Sequence, residues 1–392
     1  MAVLLPKIIS PQQTGFVKGR NITENFLLAQ EVVSSMGKKN RGGNVLMKLD
    51  MSKAYDRVSW GHIINVLRKF GFGEIFIDLV WRLLSNVWFS IIINGSSYGF
   101  FKSSRGLRQG DPLSPALFII GAEVLSRGLN NLIMQSGFVG FKVPYGCPSI
   151  THLAFADDVL IFANGSSFSL KAIMQVLEAY QRCSGQLINV QKSCYLVHPS
   201  MPLARRRQIE RITRFTWHSF PIRYLGFPLY FGRCKSSYYG GVCQSILGRI
   251  LSWKSRLLSF GGKIVLIKHV LASMPLHLMS AAVLPGKLFK TIEKTCSAFL
   301  WGSSPADSKY HWIRWSHLCY LVDEGGVGFR RLWDVYKAFS CKLWWNFRTG
   351  SSLWAMFLKA KYCKSLHPCQ VELKSTDSAI WRRMVNVSRQ VE

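Results

Sequence analysis

Acidic residues are scarce. The 392-residue chain carries 20 Asp+Glu against 50 Lys+Arg, a formal net charge of +30. So lopsided a balance points to a polyanionic partner, either nucleic acid or an anionic membrane surface. Paired cysteines are missing too: the ten cysteines, spread from Cys147 to Cys369, include no C-x-x-C. This argues against a disulfide framework and a zinc ribbon, and for a reducing, intracellular compartment. His317 and Cys319 in "HLC" lack a second pair to complete a metal site. Long apolar runs are lacking as well. "ILSWKSRLLSF" and "LASMPLHLMSAAVLPG" are broken by Lys, Arg, His or Pro well short of the roughly 20 residues a span needs, so no membrane partner is expected. "MAVLLPKIIS" shows no basic region followed by a cleavage site, and so no signal peptide is read. No internal repeat or low-complexity tract appears.

What is present reads as an α+β chain. Ile22, Phe26, Ala29, Val33 and Met36 form a helical stripe, with Asn21 or Thr23 as cap and Gly37 as stop. "VLMKLD" is a buried strand ending on Asp50. A helix through "AYDRVSWGHIINVLRKFG", a second through "EIFIDLVWRLLSN" and a hairpin turning at Asn94-Gly95 follow. "GLRQGDPLSP" is a Gly/Pro loop feeding a long helix. "THLAFADDVLIFA" reads as a hairpin, and "SLKAIMQVLEAYQRC" and "SCYLVH" as a helix and a strand. Strands and helices mix without a βαβ rhythm, so the class is α+β. Beyond residue 196 helical patterns with interspersed cations dominate. Beyond 290, tryptophan is frequent: Trp301, Trp312, Trp315, Trp333, Trp344, Trp345, Trp354 and Trp381. Three regions are read, 1–195, 196–290 and 291–392, the role of the last being open.

The few carboxylates repay attention. Asp157 and Asp158 sit at a hairpin tip, where turn chemistry alone explains an aspartate. Asp50 ends another apolar strand. Strand ends are where a rigid sheet presents side chains to a shared space. Converging carboxylates repel unless divalent cations such as Mg²⁺ intervene, and Mg²⁺ prefers hard oxygen ligands shared with substrate phosphates. Two such ions clamp the attacking and leaving oxygens of a phosphoryl displacement. In a basic chain this suggests nucleotidyl transfer on nucleic acid.

Several segments, in order, resemble the reverse transcriptase of non-LTR (LINE-type) retrotransposons, in particular the plant members. They are "QQTGFVKGRNITENF", "KLDMSKAYDRVSW", "GLRQGDPLSPALFI", "LAFADDVLIF", "SGQLINVQKS" and "RYLGFPL". The likeness continues through "LSWKSRLLSFGGKIVLIKHVLASMP" and "GGVGFRRL" to about "LKAKYCK". It implies a right-hand polymerase: an antiparallel-sheet palm with partial fingers in 1–195, a primer grip and basic thumb-like helices in 196–290, and a helical Trp-rich extension in 291–392.

By motif match, Asp50 and Asp157 would bind two Mg²⁺ ions (with Mn²⁺ as the substitute), supported by Asp158 and the carbonyl of Met51. Tyr55 would close the sugar pocket against a ribose 2′-OH. Gln109 and Gly110 would meet the incoming nucleotide and template base. Lys192 would be the general acid for departing pyrophosphate, although Gln186 and Leu187 stand where the family more often has Leu and Lys. Leu225 and Gly226 would hold the primer terminus, and Arg249, Lys254, Arg256, Lys263 and Lys268 would follow the duplex phosphates.

The resemblance thus implies an RNA-directed DNA polymerase acting on an RNA template, a DNA primer and dNTPs, located in the nucleus. Its N-terminus reads as truncated, without the fingers segment that carries triphosphate contacts. The alternative is an inactive remnant that only binds nucleic acid. An intron-encoded reverse transcriptase or an RNA replicase of the same palm is a weaker third reading, and Tyr55 argues against the replicase.

Overall fold

A computed structural model describes residues 1–252, 257–302 and 310–391. Contacts divide the chain into two compact units, Met1–Phe220 with Ser352–Lys361, and Pro221–Ser351 with Tyr362–Glu392. This division runs differently from the three sequence regions, because a late segment returns to the first unit.

The first unit opens with α1 (Leu5–Ile8) and α2 (Ile22–Val33), whose Asn21 cap accepts from the Thr23 amide. α2 ends on Ser34, three residues before Gly37. β1 (Asn44–Leu49) follows. The single helix expected next is two, α3 (Ala54–Arg57) and α4 (Trp60–Lys69). The break has a local cause: Ser59, in an extended conformation, caps α4 by accepting from the His62 amide. The Val58 carbonyl accepts from Gly106 and the Ser59 amide donates to Ser184, so tertiary bonds hold the break open.

α5 (Glu74–Ser85) precedes a hairpin of β2 (Trp88–Ile93) and β3 (Ser96–Lys102), turned through Asn94 and Gly95, both at positive φ. Every residue of these two strands is exposed. The long helix α6 (Ser114–Asn131) comes next, then β4 (His152–Phe155), β5 (Asp158–Asn164) and α7 (Ser167–Ser184). β6 (Cys194–Val197), α8 (Leu203–Thr213) and the short β7 (Thr216–Trp217) complete the sequence-continuous part.

Five strands form one sheet, ordered β4-β5-β1-β6-β7. All pairs are antiparallel except β6 with β7. One face buries Val45, Met47, Leu49, Val159 and Ile161 against Leu125 and Leu129 of α6 and Leu170, Ile173 and Leu177 of α7. Each such side chain contributes roughly 1.5–3 kcal/mol when fully buried. α4 packs one layer further out, against the first half of α6. The stretch Ser114–Met134 is long and apolar enough by composition to cross a membrane, and more than half of it is buried within the protein. The long helix read from the sequence stands here, and its apolarity serves the core beneath the sheet.

The second unit is mainly helical. A small hairpin, β8 (Ile222–Tyr224) with β9 (Phe227–Leu229), precedes helices Gly240–Ile250, Phe260–Leu266, Leu276–Ala281, Gly286–Trp301, Leu332–Thr349 and Ala379–Val391. Trp344 and Trp381 are fully buried there, and the Tyr362 ring lies 4.5 Å from Trp381 at an interplanar angle of 4°. Trp312 and Trp345 stay exposed, so the tryptophan-rich region is only partly a core.

Candidate active site

β1 and β5 pair with Leu49 opposite Val159. Extending that register by one residue sets Asp50, just past β1, beside Asp158, the first residue of β5. Phe155 pairs with Asp158, which leaves Ala156 and Asp157 as a two-residue turn. Asp157 is exposed, while Asp50 and Asp158 are half-buried. Burial holds the Asp158 carboxyl above the usual carboxylate range, and the charges of Asp157 and Asp50 push it the same way; Lys48 partly offsets them. The three carboxylates therefore share one electrostatic neighbourhood.

The turn does not stand by itself. Ala156 has φ 55°, a left-handed conformation that costs a non-glycine residue about 1 kcal/mol. Gln13, 2% exposed, holds it in place. Its Oε1 accepts from the Ala156 amide at 3.0 Å and the Gly15 amide at 2.8 Å, and its Nε2 donates to the Ala156 carbonyl at 3.2 Å. Asn25 of α2 donates to the Ala154 carbonyl at 3.0 Å. On the other strand, the Asp50 amide donates to Ser193 Oγ at 3.0 Å, and the Asp50 carbonyl accepts from the Asn189 amide at 2.8 Å. Met51 bridges Ile188, so the segment around Ile188 clamps the end of β1. Sequence reasoning missed Gln13, Asn25 and Ser193. Their only signal is polar residues in otherwise apolar or turn-rich stretches, and nothing local says what they hold.

Tyr55 lies on α3, its ring stacked on Phe118 at 4.9 Å. Burial raises its phenol pKa, and the charge of Asp157 adds to that, which places the ring and the aspartate in one electrostatic field. Gln186 donates to the Ala54 carbonyl at 2.7 Å and so braces the turn that carries Tyr55. The loop bearing Gln109 and Gly110 is docked on the same turn. The Leu107 amide donates to the Tyr55 carbonyl, and a Cβ at Gly106 would meet the Asp56 carbonyl at 2.7 Å. Gln109 and Gly110 are exposed, and Gly110 has φ 95°. Arg105, Arg108 and Gln109 also line a groove of about 630 Å³ beside Trp60, Leu83 and Phe89, and none of the three aspartates lines it. The loop thus has two sides, one toward Tyr55 and one toward this groove.

Lys192 is exposed on the turn between Asn189 and β6, and its amide donates to the Asn189 carbonyl. In the second unit, Leu225 (φ 52°) and Gly226 (φ 83°) form the tight turn of β8-β9. His277 Nε2 lies 3.0 Å from the Leu225 carbonyl, and its ring stacks on Phe227. Arg249 is exposed. Lys263 sits over the Phe299 ring at 5.5 Å, and Lys268 is half-buried in a 420 Å³ cavity with Trp315 and Phe329. These two lysines pack against their own unit more closely than a bare basic stripe would. Lys254 and Arg256 lie outside the described residues.

The donor set suits hard divalent cations. Asp50, Asp157 and Asp158 supply only oxygen, and no ion pair of theirs is present among the described residues. Yet no group of three or more His, Cys, Asp or Glu side chains closes into a ready cage among those residues. A Mg²⁺ ion is usually held by one or two carboxylates and completed by water and substrate phosphates.

Residues 1–229 match the family described as reverse transcriptase (RNA-dependent DNA polymerase). The chain belongs to that family. Its relatives include the putative ribonuclease H protein At1g65750 of Arabidopsis thaliana, 34% identical over 33% of this chain and 21% of that protein. The transposon TX1 149 kDa protein of Xenopus laevis is 25% identical over 83% of this chain and 24% of its own length. The Pol polyprotein of the type-2 retrotransposable element R2DM of Drosophila melanogaster is 31% identical over 48% and 17%. This reverse transcriptase chain therefore spans about a quarter or less of those relatives. The resemblance to non-LTR retrotransposon enzymes read from the motifs is borne out.

Proposed function

We propose that the chain carries RNA-directed DNA polymerase activity of a non-LTR retrotransposon, extending a DNA primer with dNTPs on an RNA template. The observation that carries this reading is the register that sets Asp50 beside Asp158 at the mouth of a hairpin tipped by Asp157, within a reverse transcriptase family match.

Asp50, Asp157 and Asp158, with the Met51 carbonyl, are the oxygen ligands for two Mg²⁺ ions. When bound, such ions supply charge stabilisation to the attacking and leaving oxygens of phosphoryl transfer. The 3′-hydroxyl gives its proton to solvent water and its oxygen bonds to the α-phosphorus as the bond from that phosphorus to pyrophosphate breaks, and Lys192 offers the proton the leaving pyrophosphate takes up. Tyr55, held flat by Phe118, blocks the space a ribose 2′-OH would need. Gln109 and Gly110 contact the nucleotide and template base. Leu225 and Gly226 hold the primer end, and Arg249, Lys254, Arg256, Lys263 and Lys268 meet the duplex phosphates. A nuclear site of action goes with this reading.

The test is primer extension on an RNA template with dNTPs and Mg²⁺. Asp157→Ala should lower extension on the order of 10³-fold while duplex binding persists. The formal charge of +30 supports a second reading, a chain that binds nucleic acid without extending it. Duplex binding by folded wild-type protein with no extension would select that reading.

A further inference from the structure

The segment Ser352–Lys361 stands more than 130 residues past the rest of the first unit in sequence, yet belongs to it. It packs on α2. Trp354 is 1% exposed, and Phe357 and Leu358 are fully buried. The Lys361 ammonium lies 2.7 Å from Glu31 Oε2 and 3.1 Å from Ser34 Oγ, at the C-terminal end of α2. Glu31 has no exposed surface, so this ion pair is a buried one. At the other end of the helix, Ser352 hydrogen-bonds Glu24. The Cys147 thiol faces the Phe357 carbonyl at 4.0 Å.

The same helix holds the aspartate hairpin. Asn25, between Glu24 and Glu31, donates both to the Ala154 carbonyl and to Thr14 Oγ1, at 3.0 and 2.8 Å. The Thr14 amide donates to the same Ala154 carbonyl, and Gln13, one residue earlier, pins Ala156. A continuous set of bonds thus runs from residues 352–361 through α2 to the turn that carries Asp157.

We infer that Ser352–Lys361 is a positioning element for the aspartate site, with Lys361 as its key residue. The Lys361 ammonium faces a fully buried carboxylate and the Ser34 hydroxyl, so removing it takes away a charged tie between this segment and α2 where such a pair is costly to break. α2 should then loosen where it grips β4. The C-terminal region thereby gains a role in the active site besides packing. The inference takes the aspartates as the working site, but its first readout requires no activity.

That readout is amide hydrogen exchange of the full chain, comparing wild type with Lys361→Met, Lys361→Arg and the milder Ser352→Ala. In Lys361→Met, amides of α2 and of residues 152–158 should exchange on the order of 10-fold faster or more, while those of β6 and α7 stay protected. Lys361→Arg should restore protection. In extension assays Lys361→Met should also raise the Mg²⁺ concentration for half-maximal rate, which a mere loss of folded protein would not do. Faster exchange confined to 352–361, or spread evenly over the unit, overturns the inference. An unchanged Mg²⁺ midpoint in an active protein overturns it as well. If wild type proves inactive, the polymerase reading fails, and the exchange pattern still decides this one.

Discussion

Gln13 and Ala156 are 143 residues apart in sequence and joined by a two-way hydrogen bond, amide to Oε1 at 3.0 Å and Nε2 to carbonyl at 3.2 Å. A buried glutamine thereby imitates a strand partner for a residue in a left-handed conformation. Gln13→Ala leaves the Ala156 and Gly15 amides without their acceptor, at about 2–4 kcal/mol for two buried donors. The expected outcome is a lower urea midpoint and a larger fall in extension rate than the stability loss explains. Urea unfolding and single-turnover extension measure both.

Tyr55 rests on Phe118 with planes 8° from parallel, so its ring has little freedom to swing away. Tyr55→Ala should admit ribonucleotides, narrowing the preference for dNTP over rNTP by roughly 10²-fold. Tyr55→Phe should keep it, because the proposed exclusion rests on the ring and not on the hydroxyl. The ratio of kcat/KM for the two nucleotide classes checks both.

Asp158 has its carboxyl held up by burial and by two neighbouring aspartates. A raised carboxylate pKa means the folded state binds more protons than the unfolded one just above the ordinary aspartate range, so stability falls as pH rises through that window. Asp158→Asn should raise Tm at pH 7 without divalent cation, and the gain should vanish toward pH 4. Adding Mg²⁺ should raise the Tm of wild type more than that of the variant. Thermal melts across pH, with and without Mg²⁺, provide the test.

His152 acts in the opposite sense. Its ring is buried within β4, its Nδ1 is 2.9 Å from Thr151 Oγ1, and its Nε2 has no partner among the described residues. Burial pushes its pKa down to about 3. The unfolded chain therefore takes up a proton that the fold refuses. Stability is full above about pH 6.5 and falls as pH drops toward the folded value, with a limiting slope of about 1.4 kcal/mol per pH unit. His152→Gln should flatten that slope in urea titrations between pH 6 and 4.

Arg383 is a buried cation with no carboxylate partner among the described residues. Its guanidinium donates to the carbonyls of Ala282 and Met279 and to Ser340 Oγ at 2.7–2.9 Å, and lies 4.0 Å from the Tyr336 ring. Burial lowers its pKa to about 10. Arg383→Lys cannot reach these acceptors in a planar fork and should cost about 2–4 kcal/mol. The loss should appear as a lower melting temperature of the second unit, followed by near-ultraviolet circular dichroism of Trp344 and Trp381.

Much of this was legible along the chain. The Asn94-Gly95 hairpin, the capped α2 and the strand ending on Asp50 follow from turn chemistry, capping and period. The break between α3 and α4 was not legible. "AYDRVSWGHIINVLRKFG" carries a helical pattern throughout, and the Ser59 cap becomes a break because bonds with Gly106 and Ser184 hold Val58 and Ser59 out of the helix. The return of residues 352–361 was hidden for the same reason, since an apolar helix does not name the surface that buries it.

The sequence by itself determined which residues are proposed to carry chemistry: three aspartates at strand ends and a hairpin turn, an aromatic five positions after the first, and a strongly basic balance. These are local facts, set by residue type and spacing. Only the tertiary structure decided that Asp50 and Asp158 are neighbours, that Gln13 and Ser193 hold their backbones, and that α2 is gripped from the far end of the chain. Pairing register and buried hydrogen bonds join residues more than a hundred positions apart. Such contacts form because buried polar groups must find partners within the fold, and no local pattern records which ones they are.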